Sequence, residues 1–201
     1  RPSDFGSTLP FLPPEGHKAW LTVIDSIEDF DFSRLDYEVI GQLYEQLIGP
    51  EERRRYGQFY TSPDVVDLIN AFCVRKHDAR VLDPACGGGT FLGRAYARKR
   101  TLAERQMAAP AHRELLKGLF GVDIGAFAAQ LATVNLAVRH LSDQPNYPLV
   151  ARSDFFDVQR GIPLYHVPPN GGTARDILLT DLDAVIGNPP YIRQEELPKD
   201  Y

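Results

Sequence analysis

The stretch Asn188–Tyr191 combines residue types that could hold a flat ring bearing an amino group. It has the sequence Asn-Pro-Pro-Tyr and is separated from the apolar run Ala184–Ile186 by Gly187 alone. Two consecutive prolines fix the backbone dihedral φ twice and remove two N–H donors. The side chain of Asn188 and the carbonyl of Pro189 then remain as two acceptors, and Tyr191 supplies a stacking face. Two acceptors beside an aromatic plane suit an amino group on a heterocycle, and a plain proline-rich turn is the alternative.

A second candidate site is the stretch Leu82–Leu92, which has the sequence Leu-Asp-Pro-Ala-Cys-Gly-Gly-Gly-Thr-Phe-Leu. It lies between an apolar run and a helical pattern that begins near Thr90. Glycines after a first strand allow the backbone to turn tightly and to approach a ligand closely. The N-terminus of the following helix offers free N–H groups to an anion. A Gly-Lys-Ser/Thr sequence is missing, which excludes a P-loop. A glycine-rich turn without a ligand is the alternative.

Acidic residues end two further apolar runs. Asp123 follows Gly121-Val122, and an acid at the tip of a second strand is where nucleotide-binding sheets hold ribose hydroxyls. Asp123 could also be a turn residue or a helix cap. Asp154, followed by Phe155 and Phe156, could accept a hydrogen bond from an exocyclic amine while an aromatic ring packs on a purine. A helix cap with core phenylalanines is the alternative there.

The elements that must position these residues alternate between strand and helix. Strands are predicted at Ala79–Leu82, Leu119–Val122, Leu149–Ala151 and Ala184–Ile186. Helices are predicted from Ser62, from Thr90 and over Ala126–Leu141. This alternation predicts an α/β, Rossmann-like, doubly wound and mostly parallel sheet, in which all the strand tips named above share one edge. The stretch Gln159–Asp181, rich in Gly and Pro, is predicted to be a loop insertion.

The N-terminal part predicts a different organisation. Residues 1–56 are expected to form an irregular and helical segment, with one helix over Asp36–Ile48 and an exposed Arg-rich loop over Glu51–Thr61. The main domain is predicted over 57–201. Its first helix should begin with Ser62 as a hydroxyl cap. Its buried face is expected to consist of Val65, Val66, Leu68, Ile69 and Phe72.

Taken together, these motifs resemble those of the amino-group DNA methyltransferases of the Asn-Pro-Pro-Tyr class. Asn188–Tyr191 looks like their catalytic motif, and Asp83–Leu92 looks like their cofactor motif, although Gly88 stands where Ser is usual. Gly57–Pro63 resembles the segment that these enzymes place before the cofactor motif, with one extra residue before the proline. The tail Tyr191–Leu197 resembles type IIG restriction–modification enzymes, in which one polypeptide cuts and methylates. The resemblance covers residues 36 to 197.

The resemblance implies S-adenosylmethionine as the cofactor and adenine N6 of double-stranded DNA as the target, with the target base flipped out of the duplex. It implies no metal. The catalytic residues that it implies are Asn188, Pro189, Pro190 and Tyr191. The cofactor-binding residues that it implies are Tyr60, Thr61, Asp83, Ala85, Cys86, Gly87, Asp123, Ile124, Asp154 and Phe155. Among these, Asp83 would lie near the cofactor amino group, Asp123 would hold the ribose hydroxyls, and Asp154 would accept from the adenine amine.

Composition limits how such a protein could work. The chain has 201 residues and a net charge of −5. DNA-binding proteins that act alone are usually basic, so most of the grip on DNA is expected from regions absent from this chain.

No apolar run is long enough to span a membrane. Cys73 and Cys86 are expected to be reduced thiols in a cytoplasmic, prokaryotic protein. The scattered histidines argue against a zinc site. The sheet is predicted to be truncated after its fourth strand.

Two alternatives remain open from the sequence. An Asn-Pro-Pro-Tyr methyltransferase could act on a protein glutamine or on an RNA base, because these substrates also present a planar amino group. The Gly57–Pro63 segment and the sequence Asp83-Pro84-Ala85-Cys86 favour DNA as the substrate. A fragment that binds cofactor but performs no chemistry is the other alternative.

Overall fold

The computed structural model describes residues 61–140, 147–159, 161–167, 175–179 and 181–191. The chain divides into two compact units, Arg1–Asp36 and Tyr37–Tyr201, and all described residues belong to the second. The predicted helix Asp36–Ile48, the Arg-rich loop up to Tyr60, the domain boundary at residue 57 and the tail beyond Tyr191 lie outside the described residues.

Four helices and six strands are described. The helices are α1 (Pro63–Cys73), α2 (Thr90–Arg105), α3 (His112–Leu116) and α4 (Ala126–Ala137), the last extended by a 3-10 turn over Val138–His140. The strands are β1 (Val81–Asp83), β2 (Leu119–Asp123), β3 (Leu149–Arg152), β4 (Pro163–Val167), β5 (Arg175–Leu178) and β6 (Ala184–Val185). The predicted strands and helices fall within a few residues of these bounds. The short helix α3 was not predicted, because five residues carry too little periodicity.

Four strands form a parallel sheet in the order β3-β2-β1-β6. Val81 pairs with Leu119 on one side of β1 and with Ala184 on the other. The chain therefore winds outward from β1 through β2 to β3, and then returns to the far side of β1. This reversal of winding direction opens a crevice at the carboxyl ends of β1 and β6, where open α/β sheets bind ligands. The predicted Rossmann-like, mostly parallel sheet is confirmed.

Alternate side chains of the strands pack into two separate cores. Val81 and Leu119 face the cluster that contains α1, α2 and α4, whereas Leu82 and Phe120 face the opposite cluster. Strand residues point to alternate faces with a period of two. Because both faces are covered, β1 and β2 are buried along their whole length, as expected of parallel strands.

The stretch Gln159–Asp181 is more than the predicted loop insertion. It contains the antiparallel pair β4 and β5, which covers the second face of the sheet. Tyr165 of β4 is 4% exposed, its ring lies 5.7 Å from that of Phe120, and its hydroxyl donates to the carbonyl of Gly121 at 3.3 Å. The abundance of Gly and Pro hid these short strands, whose stability comes from packing on the sheet rather than from local sequence.

The prediction for the first helix was only partly right. Ser62 occupies the N-cap position, but its hydroxyl makes no capping hydrogen bond. Val66 is fully buried and Ile69 packs against the core. By contrast, Val65, Leu68 and Phe72 are 45%, 57% and 68% exposed. The apolar residues span two adjacent faces of the helix, and the core can cover one of them.

A buried lysine connects two elements near the amino end of β1. The Lys99 side chain is 0% exposed, and its Nζ donates to the carbonyls of Ala79 at 2.9 Å and Leu115 at 3.0 Å. Desolvation lowers the pKa of Lys99 to about 8, partly opposed by the charges of Asp78 and Asp183. The bonds join the start of β1 to α3, far from the carboxyl edge where the candidate site lies.

Candidate functional site

The carboxyl ends of β1 and β6 come into direct contact. Ile186 N–H donates to the carbonyl of Leu82 at 2.8 Å, which continues the pairing past β6. Gly187 then lies against the Asp83 carboxylate so closely that a Cβ on this glycine would be 2.6 Å from Oδ1 of Asp83. A side chain at position 187 would therefore push the turn Asn188–Tyr191 away from β1. The glycine places the two strongest motifs of the sequence beside each other.

The turn Cys86–Gly89, hereafter the glycine turn, leads from β1 into α2. The Cys86 N–H donates to the carbonyl of Val122 at 2.9 Å, and the Gly89 N–H donates to the carbonyl of Cys86 at 2.8 Å. Gly89 has φ +85°, and a Cβ there would lie 3.0 Å from the Cα of Ala132 in α4. Such a left-handed, closely packed position favours glycine. The turn thus ends with the free N–H groups of α2 at the carboxyl edge of the sheet.

Asp123, at the tip of β2, holds two loops at once. Its Oδ2 accepts from the Gly87 N–H at 2.8 Å, and its Oδ1 accepts from the Gly125 N–H at 2.8 Å. Its carbonyl accepts from the Ser153 N–H at 3.0 Å, which joins the tip of β3. The side chain is therefore a turn residue and also a link to the glycine turn. Because a carboxylate has about four acceptor positions, these bonds leave capacity for further donors.

At the tip of β3, Asp154 caps a short helical turn, and the two phenylalanines that follow it lie outside the core. Oδ1 of Asp154 accepts from the Phe156 N–H at 3.0 Å and caps a 3-10 turn over Phe155–Asp157. Phe155 and Phe156 are 40% and 93% exposed, and Ile124 at the tip of β2 is 68% exposed. The capping alternative for Asp154 is right, while the core alternative for the two phenylalanines is wrong. Apolar surface is therefore available beside two carboxylates at this edge.

The Asn188 side chain is hydrogen-bonded to Thr61, which precedes α1. Its Nδ2 donates to Oγ1 of Thr61 at 3.1 Å. This bond orients the amide, because the nitrogen faces Thr61 and the oxygen is directed elsewhere as an acceptor. Tyr191, three residues on, is 66% exposed. The two parts of the motif are thus an oriented acceptor and an accessible aromatic face.

The remaining predicted site residues differ in how they could contribute. The Ala85 N–H donates to Oδ1 of Asp83 at 3.2 Å. The Cys86 side chain is 5% exposed and packs in the core, and burial raises the pKa of its thiol, so any ligand contact there would come from the backbone. Tyr60 lies outside the described residues. The structure adds Gly187, which lies against Asp83, and Asn135, whose Nδ2 donates to the carbonyl of Gly88. No local sequence pattern marks a role for either, because their contacts are with distant residues.

Asp83 is a buried acid with few compensating partners. It is 1% exposed, and desolvation raises its pKa to about 7, with the Ala85 N–H opposing the shift and the charge of Asp123 adding to it. A folded-state pKa above the ordinary value of 3.8 means that the folded protein binds this proton more tightly. The stabilising contribution is therefore complete below pH 3.8 and is lost as the pH rises through 7.

Replacing Asp83 by asparagine should remove this dependence on pH. For the native chain, we expect the free energy of unfolding to fall between about pH 4 and pH 7 relative to the Asp83→Asn variant, because the buried carboxyl must ionise. Urea unfolding at several pH values, compared with that of the exposed-acid variant Asp78→Asn, measures the difference. Parallel pH profiles for the native chain and Asp83→Asn would show that Asp83 ionises without this cost.

The described part of the chain offers no group of three or more His, Cys, Asp or Glu side chains arranged to hold a metal ion. Among the described residues, no helix has both the length and the apolar character needed to cross a membrane.

The sheet, its switch point and the ring of strand tips define a Rossmann-like α/β domain with a candidate nucleotide site. Residues 35–200 match the family model N-6 DNA Methylase. The type I restriction enzyme EcoEI methylase subunit of Escherichia coli is 27% identical over 169 residues, covering 77% of this chain and 32% of that protein. The MjaVII methylase subunit of Methanocaldococcus jannaschii is 39% identical over 70 residues, covering 34% of this chain and 12% of that protein.

A solved DrdV–DNA complex has a TM-score of 0.50 at 19% identity, with 73% of this chain and 16% of that one covered. At this identity the likeness shows the fold alone. The family model covers most of the chain, and the chain therefore belongs to the N-6 DNA methylase family, as its motifs predicted. The chain spans about a third or less of the length of the curated relatives named here.

Proposed function

We propose that the intact protein transfers a methyl group from S-adenosylmethionine to N6 of adenine in double-stranded DNA, as the modifying part of a restriction–modification system. The observation that carries the proposal is the contact between the turn that begins at Asn188 and the tip of β1, made through Gly187 and Asp83. It supports a site in which a methyl donor and a planar amine would meet. The named relatives are type I methylase subunits, and the type IIG resemblance stays a prediction.

The residues at the carboxyl edge fit S-adenosylmethionine. A Cβ added at Gly87 would meet nothing within 4 Å, so the backbone of the glycine turn borders open space. Asp123 retains acceptor capacity for ribose hydroxyls, and the exposed Ile124 and Phe155 provide apolar surface for an adenine ring. Asp83 is 1% exposed, so, once ionised, its carboxylate would favour a nearby ammonium group through charge rather than through an open contact surface. When bound, the cofactor would supply an electrophilic methyl group on a sulfonium.

The Asn188 turn would act on the target amine. The N6 lone pair of adenine is delocalised into the ring and is a poor nucleophile. Hydrogen bonds from the amine to Oδ1 of Asn188 and to the carbonyl of Pro189 would localise that lone pair. As the new C–N bond would form, the bond between the methyl group and sulfur would break with its electron pair left on sulfur. Positive charge would then develop on N6, where two fixed carbonyl dipoles would stabilise it.

The other residues of the turn would hold the base. The exposed face of Tyr191 would stack on the adenine, and Pro190 would keep this face in register with the acceptors by fixing the backbone. The base must leave the duplex, since its amine cannot otherwise reach the donor. Asn188 is too weak a base to take a proton first, so the proton is lost to water after methyl transfer.

A methyl-transfer assay tests the proposal. The intact protein, with any subunits that purify with it, is incubated with S-adenosylmethionine carrying a labelled methyl group and with duplex DNA, RNA or a protein extract. We expect label in DNA and, after digestion to nucleosides, N6-methyladenine. Label confined to RNA or to protein glutamine would replace the proposed substrate by one of the alternatives, and no label in any arm would favour a cofactor-binding fragment.

Thr61 should matter for catalysis through the orientation of Asn188. Thr61→Val removes the hydroxyl that accepts from Asn188 Nδ2 at nearly constant volume. The loss of one such bond, about 1 kcal/mol, should lower kcat about fivefold, and Thr61→Ser should restore most of it. The matched control is Thr101→Val, because that hydroxyl bonds only its own helix at the Ala97 carbonyl. Equal kcat values for Thr61→Val and Thr61→Ser would contradict the orienting role.

A further inference from the structure

We propose that Asn135 and Arg139 of the α4 region are positioning residues for cofactor binding. They hold the glycine turn in one conformation through hydrogen bonds and do not touch the cofactor. The inference rests on the proposed function, and it extends the site to residues that no motif marks.

Asn135 bonds the glycine turn directly. Its side chain is 3% exposed, and its Nδ2 donates to the carbonyl of Gly88 at 3.1 Å. Its Oδ1 accepts from Nη2 of Arg139 at 3.2 Å. Residues four apart share one face of a helix, so both ends of the buried amide are engaged. The guanidinium fixes which end of the amide is oxygen, and the N–H groups are therefore directed at Gly88.

The guanidinium of Arg139 packs against α2. Its guanidinium lies over the ring of Tyr96, at 5.7 Å from the centroid. A Cβ added at Gly93 would be 2.4 Å from Nη2 of Arg139, so the guanidinium occupies the space that a side chain at position 93 would fill. The Tyr96 hydroxyl lies 2.8 Å from Nδ1 of buried His112, which fixes the ring beneath the cation. A side chain at position 93 would therefore displace the end of Arg139 that contacts Asn135.

Side chains from two different elements hold two successive residues of the glycine turn. Asp123 accepts from the Gly87 N–H, and Asn135 donates to the Gly88 carbonyl. Three consecutive glycines have more conformational freedom than any other triplet, so ordering them costs more conformational entropy. If the Asn135 bond is lost, the Gly88–Gly89 peptide keeps only the bond from the Gly89 N–H to the Cys86 carbonyl, and cofactor binding must then order a looser turn. Preorganisation of this kind raises affinity without adding a ligand contact.

Binding of S-adenosylhomocysteine to the intact protein, measured by calorimetry, tests the inference. Asn135→Asp removes the donor to Gly88 but keeps an acceptor for Arg139, and Gly93→Ala displaces only the flexible end of Arg139. We expect each variant to bind about fivefold to tenfold more weakly, in line with the loss of one buried hydrogen bond. At saturating S-adenosylmethionine, kcat should stay within about twofold of the native value, because neither residue touches the reacting atoms.

Two controls separate positioning from stability. Thr133→Ala alters α4 at a hydroxyl that bonds its own helix at the Ala129 carbonyl, and Leu136→Ala removes a fully buried core side chain beside Asn135. Leu136→Ala should lower the thermal midpoint more than Gly93→Ala, yet both controls should bind like the native protein while folded.

The outcomes distinguish the two levels of the proposal. Native affinity in folded Gly93→Ala or in folded Asn135→Asp would overturn this inference and leave the proposed function standing. A comparable loss of affinity in folded Leu136→Ala would also overturn it, because the effect would then follow stability. If the native protein itself binds neither S-adenosylhomocysteine nor S-adenosylmethionine, the proposed function fails with it. Should Asn135→Asp not fold, the Gly93→Ala result decides.

Discussion

Replacing Asn188 by alanine should lower the rate of methyl transfer by at least about a hundredfold while cofactor affinity changes by less than about twofold. Fixed dipoles aimed at a developing charge are each worth roughly a hundredfold or more in rate, and Asn188→Ala removes one. The side chain belongs to the β6 turn, whereas the residues proposed to hold the cofactor, apart from Tyr60 and Thr61 before α1, belong to the tips of β1, β2 and β3. Single-turnover methylation of duplex DNA and calorimetry with S-adenosylhomocysteine measure the two effects separately.

The conservative variant Asn188→Asp sharpens this prediction. A carboxylate keeps an acceptor where the amide oxygen was, and Thr61 can donate its hydroxyl proton to the second oxygen. We therefore expect Asn188→Asp to retain more activity than Asn188→Ala. Methylation by Asn188→Ala within about threefold of the native rate would remove Asn188 from the catalytic machinery, whereas a parallel loss of cofactor binding would assign it a structural role.

Replacing Asp123 by asparagine should weaken cofactor binding by about a hundredfold. The carboxylate accepts from two backbone N–H groups, of Gly87 and Gly125, and hydrogen bonds to a charged group contribute about 1.5–3 kcal/mol each. An amide in its place sets an NH2 group against one of these donors, so the glycine turn or the start of α4 must move. The proposed ribose contact would weaken in the same variant.

Calorimetry on the folded Asp123→Asn protein, with Asp78→Asn as the control, tests this prediction. Asp78 is exposed and precedes β1, at the end of the strand opposite the candidate site, so its neutralisation should leave affinity unchanged. The free energy of unfolding of Asp123→Asn should also fall by about 1–3 kcal/mol. Unchanged affinity in Asp123→Asn would mean that Asp123 is only a turn residue, the simpler alternative that the sequence left open.

The motifs at the carboxyl edge could be located from the sequence because each closely follows a strand that its own apolar residues predict. Short apolar runs between helical patterns predict strands, and the residues directly after each run must meet at one edge. Asp83, Asp123 and Asn188 were therefore placed in one site before any contact was known. The β4–β5 hairpin was missed for the opposite reason, because its strands are stable only where Tyr165 can pack on Phe120.

Exposure was the least predictable property. The apolar pattern of α1 contains enough residues for two faces, and only packing decides that Val66 is covered while Phe72 is not. The same holds for Phe155 and Phe156, for which the sequence left open both a stacking role and a core position, and whose exposure leaves them beside the candidate site.

By itself, the sequence determined the family, the order of strands and helices that could be recognised, and the residue types at each strand tip, because these depend on neighbours along the chain. Only the tertiary structure decided how those residues are used. Thr61 and Asn188 are bonded across 127 positions, and Gly88 and Asn135 across 47. Contacts at such separations form only when the helices and the sheet pack together, since no local pattern encodes the distance between two side chains. The candidate chemistry is therefore visible in the motif Asn188–Tyr191, while its orientation and the shape of the glycine turn come from the fold.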